Sequence, residues 1–439
     1  MLSKLKPLVQ NTSLMAYFKN SAWMIAEYVL KIVSGIFVII YMARFLGPNQ
    51  FGMLSYVLAI VAIVKAISKL GMDGILVRDL AKHPNQVKAY MSTAFGLMTL
   101  ASVLGLILIS ALVYFFESDD QLKLYIWIIA ASILFQAFLV IDFNFQAQLK
   151  SKYGFMAKSI AFGISSLVKI YLVLIKAELL LFVISYVFDA VLVALMLMAT
   201  HIYTKQSRFT LTMRSELIRP LLKSAWPMVV SAVSAILYMR IDQVMIKNML
   251  DANQLGLYAS SAKIFEGWIM LSYIVSVSLL PAIIKLKTHS AVVYERSLTS
   301  LYRMLVGLGL LFAFITIFCS DFLISYSFGP QFLEAKYSLI ILMLAAPFIA
   351  LRTLSVRYMI AEGYESKIAS RTIITLVINV ILNLILIPLF GIEGAAFSTL
   401  TSLFIGAYLI NYLDSDLSQL RRICNNSFFI KNSFKDSRV

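Results

Sequence analysis

Charged side chains are scarce in this chain. They make up 14% of its 439 residues, while hydrophobic residues make up 61%. A soluble domain carries about 25% charged and about 45–50% apolar residues, so polar surface is too short here to cover a water-soluble globule. Cysteine is nearly missing. Cys319 and Cys424 cannot build a disulfide framework, and with three histidines they leave no credible zinc or haem cluster. No Walker loop ending in Gly-Lys-Ser/Thr is present, which excludes an ATPase of its own. Gly307 and Gly309 start a dinucleotide-type pattern that Phe312 breaks. A paired-histidine motif and a Gly-x-Ser-x-Gly elbow are likewise absent.

What is present is long apolar runs, with a mean hydropathy of +0.86. A transmembrane helix needs about 20 mostly apolar residues. Twelve segments qualify: 21–45, 53–70, 90–116, 122–147, 155–175, 179–203, 225–246, 258–284, 301–327, 333–360, 368–389 and 392–413. The sequence therefore predicts an all-α integral membrane protein.

The net charge of +16 would suggest nucleic acid in a soluble protein. Here it reads as topology. Of the 38 Lys and Arg, 26 fall on the termini and every second loop, and five on the opposite loops, beside the acidic Glu117, Asp119 and Asp120. Cytoplasmic loops collect Lys and Arg, so both termini of this multi-pass membrane protein are expected in the cytoplasm, with no nucleic-acid partner.

The halves repeat. Asn20-Ser21-Ala22-Trp23 matches Lys223-Ser224-Ala225-Trp226, and Leu46-Gly47-Pro48-Asn49-Gln50-Phe51-Gly52 matches Leu250-Asp251-Ala252-Asn253-Gln254-Leu255-Gly256, 203 and 204 positions later. Both halves start on one side of the membrane, so the repeat is parallel, with a pseudo-two-fold axis along the membrane normal. The expected organisation is a six-helix lobe over 1–206, a basic cytoplasmic linker over 207–222, a second six-helix lobe over 223–414 and a polar cytoplasmic tail over 415–439.

Seven cations remain inside the spans. Lys65, Lys69 and Lys263 lie near span ends and can snorkel. Lys31, Lys169, Arg240 and Arg352 are deeper, and an intramembrane ion is a functional candidate by default. Polar stripes accompany them at helical spacing: Glu27 with Lys31 and Ser34; Lys158, Ser165 and Lys169; Ser231, Ser234, Tyr238 and Asp242; Arg371, Thr375, Asn379 and Asn383. Such Ser, Thr and Asn residues more often glue helices together than bind substrate. Glu27, Asp142, Asp242 and Glu266 are candidate ion-pair or coupling residues, and Asp189 is a further membrane acid. Surplus positive charge with aromatic walls suits an anionic, sugar-bearing molecule.

A family resemblance appears at the first hairpin. Ala43-Arg44-Phe45-Leu46-Gly47-Pro48, followed by Phe51-Gly52-Met53-Leu54-Ser55-Tyr56, resembles the opening signature of bacterial polysaccharide (O-antigen) repeat-unit flippases. These belong to the multidrug/oligosaccharidyl-lipid/polysaccharide exporter superfamily. Gly71-Met72-Asp73-Gly74 with Leu76-Val77-Arg78-Asp79, Asp242-Gln243-Val244-Met245 with Leu255-Gly256-Leu257-Tyr258, and Asn379-Val380-Ile381-Leu382-Asn383 with Gly391-Ile392-Glu393-Gly394 resemble later family segments. Arg44, Gly47, Gly52 and Arg78 are the motif positions carried over.

The resemblance implies a MATE-like exporter fold. It also implies a non-enzymatic flippase that carries undecaprenyl-diphosphate-linked oligosaccharide from the cytoplasmic to the periplasmic leaflet by alternating access. No cofactor is expected, with coupling to H+ or Na+ left open. Partners would be the lipid-linked oligosaccharide and membrane lipid, with a polysaccharide polymerase and a chain-length regulator as candidates. Lys31, Lys169, Arg240 and Arg352 would hold the diphosphate. An ion-coupled drug antiporter of the same superfamily is the nearest alternative; a membrane glycosyltransferase or polysaccharide polymerase is the alternative of another class. The missing large outer loop and carboxylate motif count against that last class.

Topology reporters check the orientation. Fusions after Glu117 and Glu334 should report the periplasmic side, and fusions after Ser207 and Thr288 the cytoplasmic side. An inverted pair would mean a miscounted span.

Overall fold

The computed structural model describes residues 12–204, 212–284 and 290–428, and these are helix, turn and loop throughout. The helices are α1 (Thr12–Ser68), α2 (Met72–Lys82), α3 (Val87–Phe116), α4 (Asp120–Ala130), α5 (Leu139–Ala147), α6 (Ser151–Leu174), α7 (Leu179–Tyr203), α8 (Ser215–Met249), α9 (Ala252–Ile284), α10 (Ala291–Ser327), α11 (Lys336–Leu344), α12 (Ala346–Glu362), α13 (Glu365–Ala407) and α14 (Ser418–Phe428). Among the described residues, nine helices are long and apolar enough to cross a membrane, or ten when the pair α11 and α12, bent by 42°, counts as one span.

Two of those helices are too long for one crossing. At about 1.5 Å per residue, the 57 residues of α1 far exceed a hydrocarbon core of about 30 Å. The chain breaks at Gly47 (φ 74°) just before Pro48, and α13 breaks at Gly391 (φ 61°) just after Pro388. Positive φ is cheap only for glycine, and proline removes a helix hydrogen bond. The expected span over 122–147 is also not one α-helix. A 3-10 stretch, Ala131–Phe138, joins α4 to α5.

The side chains confirm the bilayer as solvent by an inverted pattern. On α3 the exposed face is Leu100, Val103, Leu104, Ile107 and Leu108, while Ser92, Thr93, Ser102 and Gly105 are buried. On α13, Ile374, Val377, Ile381 and Leu384 are exposed, while Thr375, Asn379 and Asn383 are buried. Lipid rewards apolar outer faces, so small and polar residues take the helix contacts.

The chain packs as two compact units: Met1–Leu46 with Tyr56–Ile236, and Gly47–Ser55 with Leu237–Val439. Of the linker expected over 207–222, residues 207–211 lie outside the described residues, and residues 215–222 belong to the start of α8. In the first unit Met72, Leu76, Met91, Met98, Ile141, Phe145 and Leu197 form the core. In the second, Phe51 packs on Phe328 and Phe332, with ring centroids 6.4 and 6.2 Å away. The Trp268 indole donates to the Ala346 carbonyl at 2.9 Å, pinning α9 to the start of α12. The tail, expected to be merely polar, forms the amphipathic helix α14. It buries Leu420, Ile423 and Cys424, and burial pushes the Cys424 thiol up to about 12.

The repeated turn motifs meet within the second unit. A Cβ on Gly52 would collide with the Ala252 carbonyl, and one on Gly256 with the Pro48 carbonyl. Gly52→Ala and Gly256→Ala should each lower the melting temperature of the purified protein, by an overpacking cost of about 1–3 kcal/mol. Gly163→Ala, where nothing lies within 4 Å, should leave it level or raise it.

Candidate functional site

Each unit holds its own embedded charges, and most are answered by a carboxylate from a neighbouring helix. In the first unit Lys169 on α6 is buried and pairs with Asp189 on α7. Ser165, one turn earlier, accepts from Lys169 Nζ at 3.2 Å and donates to Asp189, and the Tyr186 ring lies 4.4 Å from the ammonium. Lower on α6, Lys158 reaches Asp142 at 2.7 Å, and Gln146 donates to the same carboxylate at 2.9 Å. The stripe Lys158, Ser165, Lys169 is thus one face of α6 meeting two acids. The side chains of Glu27, Lys31 and Ser34 lie outside the described residues.

In the second unit Arg240 and Lys263 share Glu266, at 3.0 and 2.8 Å. Two cations on one carboxylate leave a local surplus of positive charge. Beside them Asp242 is buried and accepts from three neutral donors: the Tyr258 hydroxyl at 2.9 Å, the Asn383 amide at 2.7 Å and the Thr399 hydroxyl at 2.7 Å. Asn383 also donates to the Asn379 side-chain Oδ1 at 3.2 Å. The stripe read on 371–383 therefore reaches Asp242, the last residue of the stripe on 231–242, through Asn383 and Asn379. No cation sits within salt-bridge distance of it among the described residues. A cavity of about 50 Å³ opens on this group, lined by Tyr238, Asp242, Gln243, Tyr258, Glu266 and Thr399 with apolar residues between.

Arg352 on α12 lies over the Tyr238 ring, 4.4 Å from its centroid. The motif positions are elsewhere. Arg44 is exposed, Arg78 is half exposed and bonds its neighbour Asp79 at 2.8 Å, and Gly47 and Gly52 shape the first turn. Ser234 donates to Val230 of its own helix at 2.8 Å, a packing role. Sequence reasoning missed Thr399 and Tyr258. Tyr258 lies in the Leu255–Tyr258 motif, but nothing in linear spacing aims its hydroxyl at Asp242. Thr399 follows the break at Gly391, which resets the helical phase.

The fold is that of membrane flippases and exporters. The solved lipid II flippase MurJ, in an inward closed conformation, superposes with a TM-score of 0.71 at 16% identity, over 94% of this chain and 91% of that one. A multidrug resistance MATE family transporter in an inward-facing conformation shares the architecture with a TM-score of 0.66 at 12% identity, over 92% of this chain and 96% of that one, so the fold is that helical membrane fold. The chain belongs to the polysaccharide biosynthesis protein family, whose model matches residues 41–337. A capsular polysaccharide biosynthesis protein from Staphylococcus aureus is 21% identical over 90% of this chain and 98% of its own length. A probable low-salt glycan biosynthesis flippase from Haloferax volcanii is 28% identical over 43% of this chain. That match spans only 41% of the relative's length.

The charge geometry gives a stability test. Glu266→Gln strands two cations, whereas Lys263→Gln still leaves Arg240 on Glu266. The Glu266 variant should melt lower, by about 1–3 kcal/mol; this is less than for a sealed ion pair because these side chains are about a fifth exposed.

Proposed function

We propose that this protein is a flippase that moves an undecaprenyl-diphosphate-linked oligosaccharide, a surface-polysaccharide repeat unit, from the cytoplasmic to the periplasmic leaflet. In this reading it has twelve spans in two six-helix lobes, with α1 and α13 each contributing two spans across their glycine breaks. It works by alternating access without enzymatic chemistry, in the inner membrane, with both termini cytoplasmic. The observation that carries this reading is the surplus of embedded positive charge in the second unit, at Arg240, Lys263 and Arg352, in a chain of the polysaccharide biosynthesis family. A diphosphate needs cations, and charge-assisted bonds are about twice as strong as neutral ones. Lys31 and Lys169 remain candidate contacts. At Lys169 a phosphate would compete with Asp189, so we assign it the weaker role. A polymerase and a chain-length regulator would act on the delivered unit.

Transport against a gradient needs a coupling ion, and Asp242 is our candidate for its site. A buried carboxylate facing only hydroxyl and amide groups can take up a proton or a monovalent cation, and either would neutralise it. Glu27, Asp142 and Glu266 are the other acids considered. Asp142 and Glu266 already face cations.

Purified protein in sealed vesicles tests both claims. Lipid-linked oligosaccharide loaded in one leaflet should become accessible to an impermeant lectin on the other side, and faster with an imposed Na+ or H+ gradient. Asp242→Asn should remove the gradient dependence. Efflux of a cationic drug without lipid-linked translocation would point to the antiporter instead. Glycan elongation in the same vesicles would point to an enzyme.

A further inference from the structure

Two arginines of the second unit depart from the pairing seen elsewhere. Arg371, on the first turns of α13, is 8% exposed, and its guanidinium donates to a neutral acceptor, the Asn411 side-chain amide oxygen, at 2.9 Å. Arg352 has the face of Tyr238. Among the described residues neither guanidinium has a carboxylate within 4.0 Å. The nearby acid Asp414 is held by Lys367 at 2.7 and 2.9 Å. By contrast Lys158, Lys169, Arg240 and Lys263 all have carboxylate partners.

Arg352 and Arg371 line one cavity of about 20 Å³, together with Ser355, Thr372 and Thr375. The two threonine hydroxyls donate to carbonyls of their own helix, at 2.9 and 2.7 Å. The groups left to donate into the cavity are therefore the guanidinium N–H groups and the Ser355 hydroxyl. Arginine cannot shed its charge, and a buried cation with no counterion is costly. The space is that of one or two water molecules, at roughly 10–15 Å³ each, so it admits oxygens of one phosphoryl group and excludes a sugar ring.

The depth suits a lipid phosphate. Arg371 lies six residues into α13 and Arg352 ten residues before the end of α12, at about 1.5 Å per residue roughly 9 and 15 Å from the helix ends that flank the turn at Gly363. On loop charge that turn is cytoplasmic.

We propose that Arg352 and Arg371 form a phosphate-binding subsite that holds the phosphoryl group of a membrane lipid from the cytoplasmic leaflet. Taking that lipid to be the polyprenyl-diphosphate carrier rests on the function proposed above; the phosphate chemistry does not. Phosphatidylglycerol offers the same chemistry as a headgroup, and the two sources are separable.

The test is thermal melting of the full-length protein in neutral detergent, with and without polyprenyl diphosphate, phosphatidylglycerol, inorganic pyrophosphate, or uncharged polyprenol as control. Polyprenyl diphosphate should stabilise the wild type and polyprenol should not. Arg352→Gln and Arg371→Gln should each weaken that effect by about tenfold or more in apparent affinity, the loss of one charged hydrogen-bonded contact. Should a Gln variant fail to fold, Arg352→Lys and Arg371→Lys keep the charge but lose the planar fork, and are expected to bind with intermediate affinity. Equal, arginine-dependent stabilisation by phosphatidylglycerol would support the subsite and assign it to a headgroup. Arginine-dependent binding in a protein that moves no lipid-linked sugar would keep the subsite and sink the transport reading. Stabilisation by no phosphate probe, or stabilisation unchanged in both arginine variants, would overturn the proposal.

Discussion

An ion inside a hydrocarbon layer must be answered within reach of its own side chain, and the interior of both units follows from that constraint. Insertion scales put a lone Lys or Arg at a helix centre at about 2.5–3.5 kcal/mol. Lys169 with Asp189, Lys158 with Asp142, and Arg240 with Glu266 meet that cost by pairing across adjacent helices, and Lys263 by pairing with Glu266 on its own helix. These pairs favour the helix rotations that bring the partners together, alongside the close packing of small residues. The exposed leucine and isoleucine faces of α3 and α13 are the complement of this arrangement.

The proposed function rests on the places where pairing is incomplete. Glu266 answers two cations, Asp242 is answered only by neutral donors, and Arg352 and Arg371 meet an aromatic face and an amide. Those sites lie in the second unit and carry uncompensated charge of both signs. A negative site that a small cation or proton can neutralise, and positive sites that a phosphate can neutralise, are what coupled movement of an anionic lipid would require. In the proposed function, each state of loading would change which charges are buried unpaired, and binding would bias the conformation.

Much of this was legible before any coordinates. The apolar runs gave the membrane class, and the structure brings Gly52 and Gly256, from the two similar turns Leu46–Gly52 and Leu250–Gly256, against each other's turns. The stripes ending at Asp242 and at Asn383 were visible as helical periodicity, and the second reaches Asp242 through Asn383. The sequence could not say that Lys169 would face Asp189, twenty residues on and one helix away, because that depends on how two helices turn about their axes. Nor could it place Thr399, since the break at Gly391 shifts the phase of every later residue. The 3-10 stretch in 131–138 and the burial of α14 left no clear trace in composition. Arg371 was read as a loop cation because it sits near a span end, yet the α13 fold buries it.

The most direct measurement of whether charge sign governs recognition is native mass spectrometry of the intact protein with two ligands that share chain and sugar. One carries the diphosphate linkage and the other a neutral linkage. The account predicts bound protein with the diphosphate ligand, and little with the neutral one at equal concentration. Equal occupancy by both would contradict it, because the embedded cations would then have no part in choosing the substrate.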